Sequence, residues 1–130
     1  MNGQMRITLL KSKLHRVRVT HAELDYEGSV AIDGALMDAA NIHEFERLEI
    51  YNVNNGERFT TYAIRTTPDS GIVSVMGAAA HKVDVDDLLI ICTYADFSES
   101  EVKSFAPDLV YVDEKNRLKS KADHISAQVA

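Results

Sequence analysis

Cysteine, basic residues and long apolar segments are all scarce in this chain of 130 residues. The single cysteine, Cys92, excludes an internal disulfide framework. No apolar run approaches the ~20 residues of a membrane-spanning helix, and the first residues lack a signal-peptide pattern. A total of 14 Lys and Arg against 20 Asp and Glu gives a formal net charge of −6, which argues against a basic face for nucleic acid. We therefore expect one cytoplasmic globular domain over residues 1–130, with neither nucleic acid nor a membrane as partner.

Motifs for metal and phosphate binding are also absent. The 5 histidines stand outside C-x-x-C and H-E-x-x-H contexts, and the acidic residues after His81 lack the spacing of a calcium loop. The Gly-Ala-Ala-Ala segment at 77–80 lacks the Gly-x-x-x-x-Gly-Lys frame of a phosphate loop. Cys92 lies in an apolar segment, which favours a core residue over a nucleophile. We therefore expect no metal cofactor.

The chain does contain a series of short β-strand patterns. Apolar, β-branched and aromatic residues predict strands over 5–10, 48–53, 58–64, 72–76, 88–94 and 109–112. Asn54-Asn55-Gly56 is suited to the turn of a hairpin. The polar segment 114–130 is predicted to be a surface tail. Many short strands predict a mainly β fold that closes, or nearly closes, into a small barrel.

Helix signals are fewer and local. Asp33 is suited to cap a short helix over 34–40, and Asn41 to end it. Ser98 and Glu101 have the spacing of a capping box ahead of a second short helix. These two segments predict a few short helices on a β fold.

The dipeptide Gly28-Ser29 has two interpretations. Most Gly-Ser pairs are simply turns. In a strained turn, however, the Ser29 hydroxyl could attack the Gly28 carbonyl carbon, which no Cβ obstructs. This N-to-O acyl shift would give an ester, and β-elimination followed by hydrolysis would leave a pyruvoyl group at the new amino terminus.

Two further patterns each allow a structural and a functional interpretation. Arg58 and Tyr62 lie four residues apart in a predicted strand and therefore share a face. They are either a cross-strand contact or a carboxylate anchor beside a phenolic proton donor. The small residues at 77–80 either pack tightly in a barrel or expose backbone amides to an anion.

A set of motifs runs from about Met5 to the C-terminus and carries the most specific signal. They are Lys13-Leu14-His15-Arg16-Val17, Val19-Thr20-His21-Ala22, Leu24, Tyr26-Glu27-Gly28-Ser29, Ala31-Ile32-Asp33, Asp38-Ala39-Ala40, Asn55-Gly56, Arg58-Phe59, Thr61-Tyr62-Ala63-Ile64, Gly77-Ala78-Ala79-Ala80-His81 and Gln128-Val129-Ala130. In order and spacing, the set resembles the pyruvoyl-dependent aspartate 1-decarboxylase family. Residues 1–4 precede the resemblance, so either Met1 or Met5 is the expected start.

The resemblance implies a fold, a maturation step and an activity. The fold is a double-psi β-barrel that assembles as a homotetramer with active sites between subunits. Self-cleavage between Gly28 and Ser29 gives a β chain of residues 1–28 and an α chain of residues 29–130, with Ser29 converted into a pyruvoyl cofactor. A Schiff base to that group then lets the enzyme convert L-aspartate into β-alanine and CO2 for pantothenate and coenzyme A synthesis.

Site residues are also implied by the resemblance, position by position. Arg58 and Lys13 match the cations that hold the substrate, and His15 a polar contact nearby. Tyr62 matches the proton donor to Cα, and Thr61 the residue that assists self-cleavage through the Gly28 carbonyl. The backbone lining the pocket corresponds to Gly77, Ala78 and Ala79.

The chain departs from the family pattern at Met76, where the family commonly has Asn. A thioether donates no hydrogen bond, so we expect activity with an altered rate or processing speed. An acetyltransferase-like maturation factor accelerates processing in some bacteria, and the sequence does not distinguish assisted from spontaneous cleavage. Three alternatives remain open: a pyruvoyl enzyme for another amino acid, a non-catalytic psi-barrel binding module, and, disfavoured by the charge, a DNA-binding protein.

Overall fold

The computed structural model describes residues 5–127, and within them the fold is mainly β, as predicted. The nine strands of this range are β1 Arg6–Arg18, β2 His21–Glu23, β3 Ser29–Asp33, β4 Arg47–Asn52, β5 Arg58–Thr66, β6 Val73–Met76, β7 Leu88–Ser98, β8 Asp108–Val112 and β9 Leu118–Ala122. The helices are α1 Gly34–Ala40, a 3₁₀ helix at Gly77–Lys82 and α2 Glu99–Val102. The motif at 128–130 and the alternative starts before Met5 lie outside the described residues.

All nine strands belong to one mixed sheet, in the order β2-β6-β3-β5-β4-β7-β1-β8-β9. Strand β1 is the longest strand of the sheet, with 13 residues. It pairs antiparallel with β7 and parallel with β8. Strand β5 joins the two halves of the sheet: its first residues pair with β4 and its last with β3. The double-psi closure of this sheet stays an implication of the family resemblance.

The strand predictions are confirmed in position, and two differences have a physical cause. The strand predicted over 5–10 is the beginning of β1, which continues to Arg18 through two register shifts, after Leu10 and after Leu14. These irregularities break the alternation from which strands are predicted. Strand β3 was not predicted, because Ser29–Asp33 is buried at every position and shows no alternation.

Both predicted helices are confirmed together with their caps. The Asp33 side chain accepts a hydrogen bond from the Ala35 amide, and Asn41 ends α1 with a left-handed φ of 56°. At α2, the Ser98 hydroxyl accepts from the Glu101 amide while the Glu101 carboxylate accepts from the Ser98 amide. These signals are local to one turn of chain, which is why the sequence reveals them.

The polar segment after Asp113 is more ordered than a surface tail. Strand β9 within it pairs antiparallel with β8, and its side chains are largely exposed, as its polarity predicts. The turn between these strands holds Asn116, which is only 2% exposed. Its side-chain amide donates to the carbonyls of Arg18 and Gly71 and thus anchors the hairpin to the rest of the fold.

The core is formed by residues of α1 and of the sheet strands, including β1, β3, β4 and β7. It is aliphatic and fully buried at its centre, where the largest side chains are Leu14, Ile32, Leu36, Met37, Leu48, Ile50, Leu89 and Ile91. Cys92 is buried as predicted, and burial raises the pKa of its thiol. None of the helices within residues 5–127 has the length and apolar character that crossing a membrane requires.

Candidate active site

Ser29 is the first residue of β3 and is almost completely buried, with 3% of its surface exposed. It pairs with Met76 at the end of β6, the residue at which the chain departs from the family pattern. The Ser29 hydroxyl donates a long hydrogen bond of 3.4 Å to the Glu27 carbonyl. The candidate nucleophile is therefore held at a strand end, with only a weak bond to restrain its hydroxyl.

Tyr62 and Thr61 lie next to this position on the neighbouring strand β5. The parallel register of β3 and β5 starts with Val30 opposite Ala63. Ser29 precedes Val30, and Tyr62 precedes Ala63. Ser29 and Tyr62 therefore lie side by side on adjacent strands, whose backbones are about 5 Å apart. The Tyr62 side chain is 37% exposed and packs against Phe45 at 6.5 Å between ring centroids. Thus the fold brings three predicted site residues, with Gly28, to one end of β3.

Gly77 reaches the same place from the end of β6. It has a φ of +75° and packs against the backbone of Gly28. Of the two alanines that follow, Ala78 is exposed and Ala79 packs on the core. The small residues at 77–80 therefore pack closely, as one of the two alternatives predicts, and Gly77 brings the backbone against Gly28. Binding of an anion by their amides stays a prediction.

Arg58 lies on the same exposed face of β5 as Tyr62, as its spacing predicts, but four residues away. Four residues of strand span about 13 Å. The Arg58 guanidinium lies 4.6 Å from the centroid of the Tyr51 ring, and none of the ion pairs within residues 5–127 involves it. Its charge is therefore available to an anionic ligand.

Lys13 and His15 belong to β1, three strands away from β5. The registers run from Lys13 to Cys92, from Cys92 to Glu49 and from Glu49 to Thr60, which places Lys13 about 14 Å from β5. The Lys13 ammonium and the His15 ring both contact Tyr111, at 6.0 Å and 5.4 Å from its centroid.

His15 has an unusual environment. Its Nδ1 is buried and has no hydrogen-bond partner within the described chain. Burial, followed by the positive charges of Lys13 and Arg16, lowers the pKa of His15 below 6.5. The imidazole is therefore neutral at pH 7 and can accept a proton or a hydrogen bond.

Two tyrosines near Arg58 escaped the sequence analysis. Tyr51 lies beneath the guanidinium, and its hydroxyl is 3.0 Å from that of Tyr94 on β7. That hydrogen bond and burial raise the pKa of Tyr94. The two residues lie on neighbouring strands, and their contact depends on tertiary structure that the sequence pattern does not show.

The site residues of one chain thus occupy three places, since Arg58 on β5 is separated from Lys13 and His15 on β1. Gly28, Ser29, Thr61, Tyr62 and Gly77 lie together at the start of β3, whereas the three basic residues lie elsewhere on the sheet. Within residues 5–127, no group of three or more His, Cys, Asp or Glu is placed to hold a metal ion.

Comparison with known proteins gives matches along nearly the whole chain. The family described as aspartate decarboxylase matches residues 5–119. The aspartate 1-decarboxylase of Methylobacillus flagellatus is 63% identical over 126 residues, 97% of this chain and 100% of that protein. The aspartate 1-decarboxylases of Hydrogenovibrio crunogenus and Acinetobacter baumannii are 59% and 57% identical, over 96% and 94% of this chain and 97% of each relative.

Proposed function

The chain belongs to the aspartate decarboxylase family, and from this membership we propose that it becomes an active aspartate 1-decarboxylase by cleaving itself. The enzyme is a carboxy-lyase that converts L-aspartate into β-alanine and CO2, a step toward pantothenate and coenzyme A. Sequence identity of 63% over the whole length of one aspartate 1-decarboxylase is the observation that carries the proposal. A biosynthetic role in central metabolism favours a cytoplasmic location.

The residues around Ser29 fit a pyruvoyl group derived from that serine. Gly28 precedes Ser29 and Gly77 lies against Gly28, so neither of these two residues adds a side chain beside the Gly28 carbonyl. We assign Thr61 to hydrogen-bond the Gly28 carbonyl and stabilise the oxyanion that forms during cleavage. A pyruvoyl group supplies a ketone that binds the substrate amine and withdraws the electrons left behind by CO2.

The remaining residues bind substrate and return a proton. Arg58, exposed and outside the ion pairs described, offers a planar fork for one carboxylate of aspartate, and Lys13 a second cation for the other. We assign Tyr62, beside Ser29 on the next strand, to donate its phenolic proton to Cα, and the β3–β5 register supports this assignment. His15 and the backbone of Ala78 and Ala79 complete the contacts that we assign to the pocket.

We propose a homotetramer with sites between subunits, as the family resemblance implies, and the separation of the basic residues from Ser29 supports it. In one chain, Arg58 lies about 13 Å along β5 from Tyr62, and Lys13 lies on a strand still farther from Ser29. Aspartate is shorter than either of these separations between backbone positions. We therefore propose that Ser29 and Tyr62 of one subunit meet the basic residues of another.

Intact-mass analysis of freshly purified protein tests the proposal directly. The native chain should give fragments 1–28 and 29–130 and should release CO2 from aspartate, despite Met76. Ser29→Ala, which has no hydroxyl to attack with, should stay whole and inactive. An uncleaved native chain that binds but does not decarboxylate amino acids would support the binding-module alternative. Decarboxylation of other amino acids in a panel, but not of aspartate, would support the alternative of a pyruvoyl enzyme for another amino acid.

The same samples address maturation. Cleavage on warming, without added protein, indicates spontaneous processing. Cleavage only after addition of a host lysate indicates an acetyltransferase-like maturation factor. Both routes give the same two fragments. They differ in whether cleavage requires the added lysate, and mass measurement shows when cleavage has occurred.

A further inference from the structure

Gly77 makes the closest backbone approach to the peptide that the chain is proposed to cut. The position that its Cβ would occupy lies 2.5 Å from the Gly28 Cα, 2.7 Å from the Gly28 nitrogen and 3.0 Å from the Tyr26 carbonyl oxygen. All three atoms belong to backbone, which cannot rotate away as the end of a side chain would. Only glycine therefore permits this contact.

The position of Gly77 is itself fixed by the fold. Met76 precedes it and pairs with Ser29 in the antiparallel β3–β6 ladder. The 3₁₀ helix follows it, and Ala80 of that helix is buried. Gly28 and Ser29 are thus constrained by one short segment, with Met76 opposite Ser29 and Gly77 against Gly28.

We propose that Gly77 is a positioning residue for self-cleavage, and this inference rests on the proposed function. Its contact with the nitrogen and Cα of Gly28 holds the Gly28 carbonyl carbon where the Ser29 hydroxyl can reach it. The hydroxyl bond to Glu27 is long, at 3.4 Å, so rotation of the serine costs little. The placement of the carbonyl then governs how often the two atoms meet in a reactive geometry.

The chemistry that this contact assists is the first step of cleavage. The Ser29 oxygen bonds to the Gly28 carbonyl carbon, the bond from that carbon to the Ser29 nitrogen breaks, and the hydroxyl proton ends on the released amine. The product is an ester on the Ser29 side chain. Loss of the Ser29 Cα proton and of the Gly28 carboxylate, addition of water and release of ammonia then follow without Gly77.

A matched pair of variants separates the contact from backbone strain. Gly77 has a φ of +75° and Gly56 a φ of +78°, so alanine imposes the same kind of strain at both. Nothing lies within 4 Å of the Cβ position at Gly56. We expect Gly77→Ala to slow the appearance of fragments 1–28 and 29–130 by about 100-fold, the loss that a misplacement of about 1 Å can cause. Gly56→Ala should cleave at the native rate.

Asparagine gives a second pair, because it tolerates positive φ better than alanine. Asn41 and Asn116 already adopt such values in this chain. Gly77→Asn should cleave slowly and Gly56→Asn normally. Circular dichroism in the uncleavable Ser29→Ala background reports folding for all four variants. If both Gly77 variants unfold there while the Gly56 variants do not, the contact serves folding, and the proposal is overturned.

Hydroxylamine, which cleaves esters in preference to amides, locates the affected step. The native precursor should yield the Gly28 hydroxamate, and Gly77→Ala should yield about 100-fold less at the same time, because the ester forms slowly. Equal yields would place the defect after the acyl shift and would overturn the proposal, as would native cleavage by Gly77→Ala. A native chain that never cleaves would overturn the proposed function and this inference together.

Discussion

At the scale of single residues, the exposed face of β5 carries the proposed recognition of substrate. Arg58 lies about 13 Å from Tyr62 along the strand, and no neighbouring carboxylate among the described residues neutralises it. The cost of an unpaired exposed cation is small in water, and the gain appears only when an anion binds. A residue of this kind is expected to matter for substrate affinity and little for folding.

Arg58→Ala should therefore separate binding from maturation. We expect complete cleavage into the two fragments, because Arg58 is assigned to the substrate and takes no part in the proposed cleavage, and a KM for aspartate raised roughly 10- to 100-fold by the lost charged hydrogen bonds. Intact mass and steady-state kinetics measure the two effects. Thr60 lies on the same face of β5, two residues from Arg58 in the direction of Tyr62. Thr60→Ala is the matched control and should leave KM unchanged.

Tyr62→Phe should instead lower turnover and leave the KM for aspartate nearly unchanged. The ring and its packing against Phe45 are kept, while the proton that we assign to Cα is lost. Turnover should fall about 100-fold or more, in the range of general acid catalysis, at a nearly unchanged KM. Turnover equal to that of the native enzyme, in fully cleaved protein, would remove Tyr62 from the mechanism.

His15 predicts a pH dependence of stability whose sign follows from its environment. Its pKa is lowered in the folded chain by burial and by Lys13 and Arg16, whereas the unfolded chain titrates near 6.5. Just below pH 6.5 the unfolded state therefore binds more protons, and stability falls as the pH falls toward the folded pKa. Urea unfolding from pH 7.5 to 5, in the Ser29→Ala background, should show this loss, and His15→Gln should reduce it.

At the scale of elements, Asp33 connects a helix cap to a distant loop. Its carboxylate accepts hydrogen bonds from the amides of Ala35 at 2.8 Å, Asp69 at 2.9 Å and Gly71 at 2.8 Å, and the residue is only 1% exposed. The helix cap that the sequence predicts, the bond from the Ala35 amide, is one of these three hydrogen bonds. The other two fix the loop between β5 and β6, and thereby the strand that carries Met76 and Gly77.

Asp33→Ala should consequently cost more than the loss of a cap. We expect a decrease of about 3 kcal/mol in the free energy of unfolding, because three amides lose a charged acceptor in a buried place. Ser98→Ala at α2 is the control: the Ser98 hydroxyl bonds only to Glu101 and Ser100 of its own turn, and its loss should cost about 1 kcal/mol. Urea unfolding of both variants in the Ser29→Ala background compares them. Equal losses would mean that the loop bonds contribute nothing.

At the scale of the whole molecule, the proposed homotetramer would make assembly a requirement for catalysis. The proposed site needs Ser29 and Tyr62 from one subunit and the basic residues from another. Two inactive variants should therefore complement each other when they are expressed together, provided that the mutated residues come from different subunits at each site.

Coexpression of Ser29→Ala with Lys13→Ala tests this arrangement. Randomly mixed tetramers should recover about a quarter of the native activity, because about one site in four then combines two native contributions. Ser29→Ala with Tyr62→Phe is the matched control. Each site takes both of those residues from the same chain. Every chain in the mixture carries one of the two substitutions, so mixing restores no site. Recovery in the control and not in the first pair would contradict the proposed arrangement.

The sequence by itself determined every feature that depends on neighbours along the chain. The caps at Asp33 and Ser98 act within one helical turn, and the alternation in β5 places Arg58 and Tyr62 on one face. The family motifs identify the chemistry, because they preserve residue types in order. Strand β9 and the fully buried β3 were missed, since neither shows an apolar alternation that local patterns could reveal.

Only the tertiary structure decided which residues meet. Gly28 and Gly77 are far apart in sequence, and their contact exists because β3 and β6 pair side by side. The same sheet keeps Lys13 and Arg58 away from Ser29 within one chain. Such distances depend on strand order and register, which arise from long-range pairing, so no reading along the chain supplies them.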